Sequence, residues 1–144
     1  MRGFTFVEVV VVIAIISLIS LAGIPMIHDV IAKQELNYSA VRLATDLRRL
    51  QQLAINDALG TNQYYLLTDP AGNCYRLVRQ GRATKVVLPA SVKFRSGVDK
   101  ITFYASGVPD QGHTITLASL KLKAAKAIKI EGAIGRVRIE DVAY

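Results

Sequence analysis

The chain has 144 residues, 51% of them hydrophobic, and a formal net charge of +7. Its mean hydropathy of +0.32 is high for a soluble domain of this size, so the excess hydrophobicity must have a location. Cys74 is the only cysteine, which excludes an intrachain disulfide. From Lys33 onward there are 17 Lys and Arg against 9 Asp and Glu. This basic balance favours anionic partners such as nucleic acid or lipid head groups, although a merely soluble basic surface would show it too.

The hydrophobicity is concentrated near the amino terminus. Residues 9–27 read VVVVIAIISLISLAGIPMI and contain no charged side chain. Such a run meets the roughly 20 residues that a helix needs to cross a membrane. It also exceeds the roughly 7 to 15 apolar residues of a secretory signal peptide. The run therefore predicts a retained membrane anchor.

The first eight residues, MRGFTFVE, place a glutamate just inside the apolar run. An ionised carboxylate in a membrane segment is costly and indicates a function with a partner. A secretory signal peptide cut near Ser20-Leu21-Ala22 is one alternative, and Glu8 together with the length of the run counts against it. A plain signal anchor is a second alternative, but it leaves Glu8 without a partner.

The stretch GFTFVE resembles the class III leader of type IV pilins and type II secretion pseudopilins, with Phe6 for leucine and Val7 for isoleucine. The resemblance implies that a prepilin peptidase cuts between Gly3 and Phe4 and that the new Phe4 amine is N-methylated. It also implies an inner-membrane assembly platform and other pilin or pseudopilin subunits as partners. Pro25 stands where many pilins carry a helix-kinking proline.

Glu8 also has a physical role to play after such a cleavage. Phe4 would carry a cationic amine, and in a bundle of parallel anchors the amine of one subunit can lie beside the carboxylate of another. Pairing charges in a low dielectric favours one defined stagger between subunits. We therefore expect Glu8 to act in assembly.

An amphipathic segment follows the anchor. Its apolar residues recur at spacings of three and four and lay one stripe along a helix, at Leu36, Ala40, Leu43, Leu47, Leu50, Ala54 and Ala58. One helix is predicted from Phe4 to Leu59, with a stop signal at Gly60 and Asn62. Pro25 predicts a kink or local melting near Ala22 to Ile24.

The rest of the chain alternates between polar and apolar residues and is punctuated by turn residues, so it predicts short strands. We expect strands at Tyr64–Thr68, Tyr75–Arg79, Lys85–Leu88, Val92–Arg95, Ile101–Tyr104, Ile115–Leu122, Ala127–Glu131 and Ile134–Glu140. The fold class is α+β, with the long helix packed on an antiparallel sheet. The predicted division is a leader at 1–3, a transmembrane anchor at 4–28 and an extracytoplasmic globular domain at 29–144.

A weaker resemblance concerns the distal half. The stretch from Ile101 to Gly107, and Gly135-Arg136-Val137-Arg138, look like the strand and the carboxy-terminal GRxR of GspH/FimT-type minor pilins and pseudopilins. In competence-associated members GRxR is linked to DNA binding, which would make double-stranded DNA a further partner of this chain.

Two arginines placed two apart on a strand project from the same face. Arg136 and Arg138 could therefore present two guanidinium groups to neighbouring phosphates, with Lys126 and Lys129 widening the basic surface. The alternative is that these charges form the solvated face of a half-buried strand.

The sequence predicts no enzyme, no cofactor and no metal site. His28 and His113 are far apart, Cys74 has no partner at CxxC spacing, and no nucleophile with a base can be nominated. Two functions are carried forward: a minor type IV pilin that also binds DNA, and a type II secretion pseudopilin that does not. Both predict a bacterial inner-membrane protein with one span, which enters a filament after assembly.

Overall fold

The computed structural model describes residues 5–57 and 63–144, and within the helix it leaves out the side chains of residues 21–26. The chain divides into two compact units, Met1–Ile31 and Ala32–Tyr144. In order, its elements are α1 (Phe6–Asn56), β1 (Tyr64–Asp69), β2 (Cys74–Arg79), β3 (Arg82–Val87), β4 (Val92–Ser96), β5 (Lys100–Phe103), β6 (His113–Ser119), β7 (Ala124–Ile130) and β8 (Val137–Val142). All eight predicted strands are present. The helix ends at Asn56, three residues before the predicted end at Leu59. Leu59 itself and the predicted stop signal at Gly60 and Asn62 lie outside the described residues.

The strands form two antiparallel sheets. The first sheet has the order β3-β2-β1-β5 and the second has the order β4-β6-β7-β8. The sequence predicted antiparallel strands under a helix, which is confirmed, but it did not show that the strands divide into two sheets. Alternation tells which residues face the core, whereas the choice of neighbouring strand depends on pairings such as β1 with β5, which are distant in sequence.

The core of the second unit lies between α1 and the two sheets. The predicted stripe residues from Leu36 to Ala54 are buried, and Leu43 and Leu47 are fully so. They join one cluster with side chains of both sheets, including Leu66 of β1 and Ile115 of β6. The helical spacing therefore identified the buried face correctly. The last predicted stripe residue, Ala58, lies outside the described residues.

A two-residue turn connects β2 and β3. Gln80 and Gly81 have φ values of 49° and 75°, which is the left-handed pair that suits a tight hairpin. This turn fixes the register, so that Arg79 lies directly opposite Arg82.

The turn between β1 and β2 is held by an aspartate. The Asp69 carboxylate accepts a hydrogen bond from the Gly72 amide at 2.9 Å. This backbone hydrogen bond is the main reason that the pKa of Asp69 is lowered. The thiol of Cys74 lies 3.7 Å from the same carboxylate and is fully buried.

The last strand begins later than the sequence predicted. We expected a strand from Ile134 to Glu140, but β8 starts at Val137. The preceding residues form a turn in which the Gly135 amide donates to the Glu131 carbonyl at 2.8 Å and Gly135 has a φ of 67°. Arg136 therefore directly precedes β8, and of the two arginines only Arg138 lies within the strand.

Candidate functional site

The amino-terminal end of α1 is capped by a threonine. The Thr5 hydroxyl accepts a hydrogen bond from the Glu8 amide at 3.3 Å, and the Thr5 carbonyl accepts one from the same amide at 3.1 Å. Thr5 and Glu8 have the spacing of a capping box, in which a glutamate three residues after the cap favours the helix start. The sequence analysis missed Thr5, although the T-x-x-E spacing could have identified it. Gly3 and Phe4, the predicted cleavage and methylation residues, lie outside the described residues.

The side chains that follow Thr5 are exposed. Every residue from 5 to 20 is exposed, and among the large apolar ones Phe6 is 83% exposed and Leu18 is 71% exposed. An apolar surface of this extent is typical of a segment that contacts another protein or a membrane.

Within the described part of the chain, no helix is both long and apolar enough to cross a membrane.

Pro25 lies within α1, which is continuous from Phe6 to Asn56. The helix is therefore not melted at this point. The bend predicted near residues 22–24 stays a prediction.

Three of the four basic residues proposed to bind DNA are engaged in ion pairs on the second sheet. Lys126 lies 2.5 Å from Asp141, Lys129 lies 2.7 Å from Glu140, and Arg138 lies 2.7 Å from Glu131. The register produces the first of these pairs, since Lys126 is directly opposite Asp141 across β7 and β8. The fourth residue, Arg136, is exposed in the turn before β8. Carboxylates thus already compensate much of the positive charge that the sequence places at this end.

The two distal stretches that carry the weaker resemblance meet at one residue of α1. The Gln51 side-chain amide donates a hydrogen bond to the Gly107 carbonyl at 2.7 Å. A Cβ atom on Gly135 would lie 2.4 Å from both that carbonyl oxygen and the Gln51 amide nitrogen. Gly135 is therefore required for close packing, besides its positive φ. The sequence analysis missed Gln51, because nothing in the helical spacing distinguishes a polar residue that binds a loop from one that faces solvent.

A neighbouring contact fixes the last strand to the helix. The Arg48 guanidinium donates a hydrogen bond to the Val137 carbonyl at 3.0 Å. Together with Gln51 it ties the helix to the start of β8 and to the loop after β5.

The histidine and acidic residues do not gather into a metal site among the described residues. His113 is buried and its ring Nε2 lies 2.8 Å from the Asp110 carboxylate. Burial alone would raise the pKa of Asp110, but the hydrogen bond and the charge of His113 outweigh it, so the pKa is lowered. This pair closes the loop before β6.

The amino-terminal residues match a known family model. Residues 1–24 match the family model of the prokaryotic N-terminal methylation motif. No curated protein has a matching sequence. The predicted leader of the type IV pilin class is thus confirmed as a motif.

Two solved structures share the fold. The minor pseudopilin EpsH from the Type 2 Secretion System of Vibrio cholerae superposes with a TM-score of 0.60 at 12% identity, covering 74% of this chain and 97% of EpsH. The type IV minor pilin FimU of Pseudomonas aeruginosa strain PAO1 superposes with a TM-score of 0.55 at 17% identity, covering 73% of this chain and 92% of FimU. The predicted pilin-like α+β fold is confirmed.

Proposed function

We propose that this chain, type IV pilin-like in its leader motif and in its fold, is a minor pilin or pseudopilin subunit of a type IV pilus-like filament. The observation that carries the proposal is the match of residues 1–24 to the N-terminal methylation motif on a pilin-like fold. Prepilin peptidase cleaves between Gly3 and Phe4, and the new amine of Phe4 is methylated. Residues 4–28 anchor the subunit in the inner membrane and residues 29–144 form the globular part outside the cytoplasm.

The first test is the mass of the mature amino terminus. Mass spectrometry of the chain purified from the bacterial membrane is expected to find a protein that begins at an N-methylated Phe4. A Gly3→Val variant replaces the small residue before the cleavage site with a branched one. This variant should keep its first three residues and should not enter filaments. A wild-type protein that still begins at Met1 would contradict the proposal.

Assembly depends on the charge of Glu8, which pairs with the Phe4 amine of a neighbouring subunit in an apolar surrounding. Its capping-box position gives Glu8 a second role, which is to favour the start of α1. The two roles can be separated, because glutamine preserves the hydrogen-bonding capacity of a capping box and lacks the charge.

We expect Glu8→Ala and Glu8→Gln to be cleaved normally and both to enter filaments poorly in a crosslinking assay. If Glu8→Gln assembles like the wild type while Glu8→Ala does not, Glu8 acts through the helix cap and the charge-pairing mechanism is wrong.

The alternative to a pilus subunit is a type II secretion pseudopilin. One of the two solved structures is a minor pilin and the other a minor pseudopilin, so the fold supports both equally. Deleting the gene separates them. Loss of surface filaments with normal protein secretion favours the pilus, and retained filaments with blocked secretion favour the pseudopilin.

DNA binding through Lys126, Lys129, Arg136 and Arg138 stays a prediction, and the ion pairs on the second sheet weigh against it. Binding of duplex DNA by the full chain should be compared at two salt concentrations, with Arg136→Ala and Arg138→Ala as variants. A phosphate-driven interaction would weaken steeply with salt and with both substitutions.

A further inference from the structure

A second group of cations lies where α1 meets the β2–β3 hairpin of the first sheet. The group surrounds a cavity of about 170 Å³. Three arginines and one aspartate give the cavity its charge: Arg42, Asp46, Arg49 and Arg79. The three helical residues follow one another at spacings of four and three, so they lie on one face of α1.

Buried apolar side chains form the floor of the cavity. They are Leu50 of the helix, Leu77 of β2 and Val86 of β3, all part of the core. Charges next to such a floor are less screened than charges in open water, so an anion at this point is attracted more strongly.

The one acidic side chain in the cavity already has a partner. The Tyr75 hydroxyl donates a hydrogen bond to the Asp46 carboxylate at 2.6 Å. Burial, followed by this hydrogen bond and the charge of Asp46, raises the pKa of Tyr75. Tyr75 therefore remains a protonated donor at neutral pH.

The hairpin brings two more cations together. The tight turn sets Arg79 directly opposite Arg82. Like charges in opposite positions of two strands destabilise the pair. The Arg79 guanidinium also donates a weak hydrogen bond to the Thr84 hydroxyl at 3.4 Å, and both side chains line the cavity. An anion near Arg79 would relieve this repulsion.

We propose that this arginine cavity, formed by Arg42, Arg49 and Arg79 over Asp46, binds a single phosphate group. Three guanidiniums and one carboxylate leave a formal charge of +2, which matches a phosphate monoester of about −1.5 to −2. Guanidinium forks bind phosphate oxygens in pairs, as lysines do not.

The size of the cavity limits what it can enclose. Its volume is below the roughly 300–1,000 Å³ of pockets that enclose drug-sized molecules, so it encloses the phosphate group alone and the rest of any larger phosphate compound extends into solvent. Inorganic phosphate and the monoester head group of a lipid present the same group and both fit the proposal. This inference concerns a different surface from the leader and does not rest on the proposed filament function.

The test uses the full chain in a non-ionic detergent. Inorganic phosphate is titrated into the protein at constant ionic strength, with chloride as the reference, and binding is measured by calorimetry. We expect Arg79→Gln to weaken binding by about tenfold or more, because it removes a charge-assisted hydrogen bond. Asp46→Asn should tighten binding, since it removes the only negative charge of the cavity and keeps an acceptor for Tyr75.

Arg95→Gln is the matched control, because Arg95 is also a strand arginine but lies on the other sheet, in β4, where its guanidinium donates a hydrogen bond to the Ala143 carbonyl at 2.9 Å. It should change phosphate affinity by less than about twofold. Circular dichroism of each variant in chloride checks that the fold is retained.

A second arm dopes the micelles with phosphatidic acid or with phosphatidylcholine. Binding of phosphatidic acid that Arg79→Gln weakens identifies a lipid head group as a source, and binding of inorganic phosphate alone identifies a free anion. Equal binding by wild type, Arg79→Gln and Arg95→Gln would overturn the proposal. So would a chain that binds duplex DNA but neither inorganic phosphate nor phosphatidic acid, because a single-phosphate site would then be absent.

Discussion

The two halves of α1 differ in whether their apolar side chains are buried by the chain itself. From Phe6 to Ser20 every side chain is exposed, and apolar residues occur all around the helix. From Leu36 to Ala54 one stripe of apolar residues is buried against the two sheets, and apolar residues off that stripe, such as Val41, are exposed. The second half therefore obtains its partner from its own chain, whereas the first half presents an apolar surface that needs a partner from outside. Substitutions in the two halves should have opposite consequences for folding and for assembly.

The largest effect is expected in the buried stripe. Leu47→Ala should lower the free energy of unfolding by about 2–5 kcal/mol, because it removes a fully buried side chain and leaves a cavity. Chemical denaturation of the full chain in detergent, followed by circular dichroism, measures it. Val41→Ala is the control on the opposite face, where the side chain is 55% exposed, and it should stay within about 0.5 kcal/mol. Equal losses for both would remove the distinction between the two faces.

The next effect tests the contact between the helix and the distal loops. Gly135→Ala should cost about 2–4 kcal/mol, because its Cβ would clash with the Gly107 carbonyl and with Gln51 besides straining a positive φ. Gly81→Ala is a matched control, since its φ is 75° and nothing lies within 4 Å of a Cβ there. It should cost about 1–2 kcal/mol from backbone strain alone. The difference in denaturation midpoint isolates the clash, and identical midpoints would refute the role given to Gly135.

A smaller effect is expected where the helix is hydrogen-bonded to β2. Tyr75→Phe removes the donor to Asp46 and should cost about 1.5 kcal/mol, a typical value for a hydrogen bond to a charged group. Tyr104→Phe, at a tyrosine that is 56% exposed, should change stability by less than about 0.5 kcal/mol. Thermal unfolding of both variants gives the comparison, and a neutral Tyr75→Phe would show that the hydrogen bond adds nothing to the contact.

The smallest effect on folding is expected in the first half of α1. Ile16 is 57% exposed, so Ile16→Ala should leave the free energy of unfolding within about 0.5 kcal/mol of the wild type. The same substitution should reduce filament incorporation in the crosslinking assay, if the apolar surface packs against other subunits. A loss of stability comparable with that of Leu47→Ala would mean that the first half is buried by the chain itself, and the contrast between the halves would disappear.

The sequence was informative where one periodic signal decides the structure. The spacing from Leu36 to Ala54 identified the buried face, because a helix repeats every 3.6 residues and only one stripe can face the sheets. Eight alternating segments likewise became eight strands. The turn residues that punctuate the strands were informative as well, because glycine accepts a positive φ, as Gly81 does in the tight turn after Gln80.

Features that depend on distant partners could not be predicted in this way. The start of β8 was placed three residues early, because the alternation of Ile134 to Glu140 conceals a turn that Gly135 closes on Glu131. The basic carboxy-terminal stretch was predicted as a surface that binds polyanions. Its positive charges are compensated by Glu131, Glu140 and Asp141, and these ion pairs depend on strand register and on the reach of the side chains. The arginine cavity was missed for the converse reason, since Arg79 meets Arg42 and Arg49 only after β2 has packed on the helix.

The single thiol of Cys74 makes site-specific labelling of the subunit straightforward. The Cys74 side chain is fully buried, so a maleimide reagent should not react with the native wild-type chain. Probes can therefore be placed at chosen surface positions by adding one cysteine, without first removing the natural one. Labelling of Cys74 itself would then report when β1 and β2 separate, and the time course of that labelling in assembled and unassembled material would compare how often the subunit opens in each.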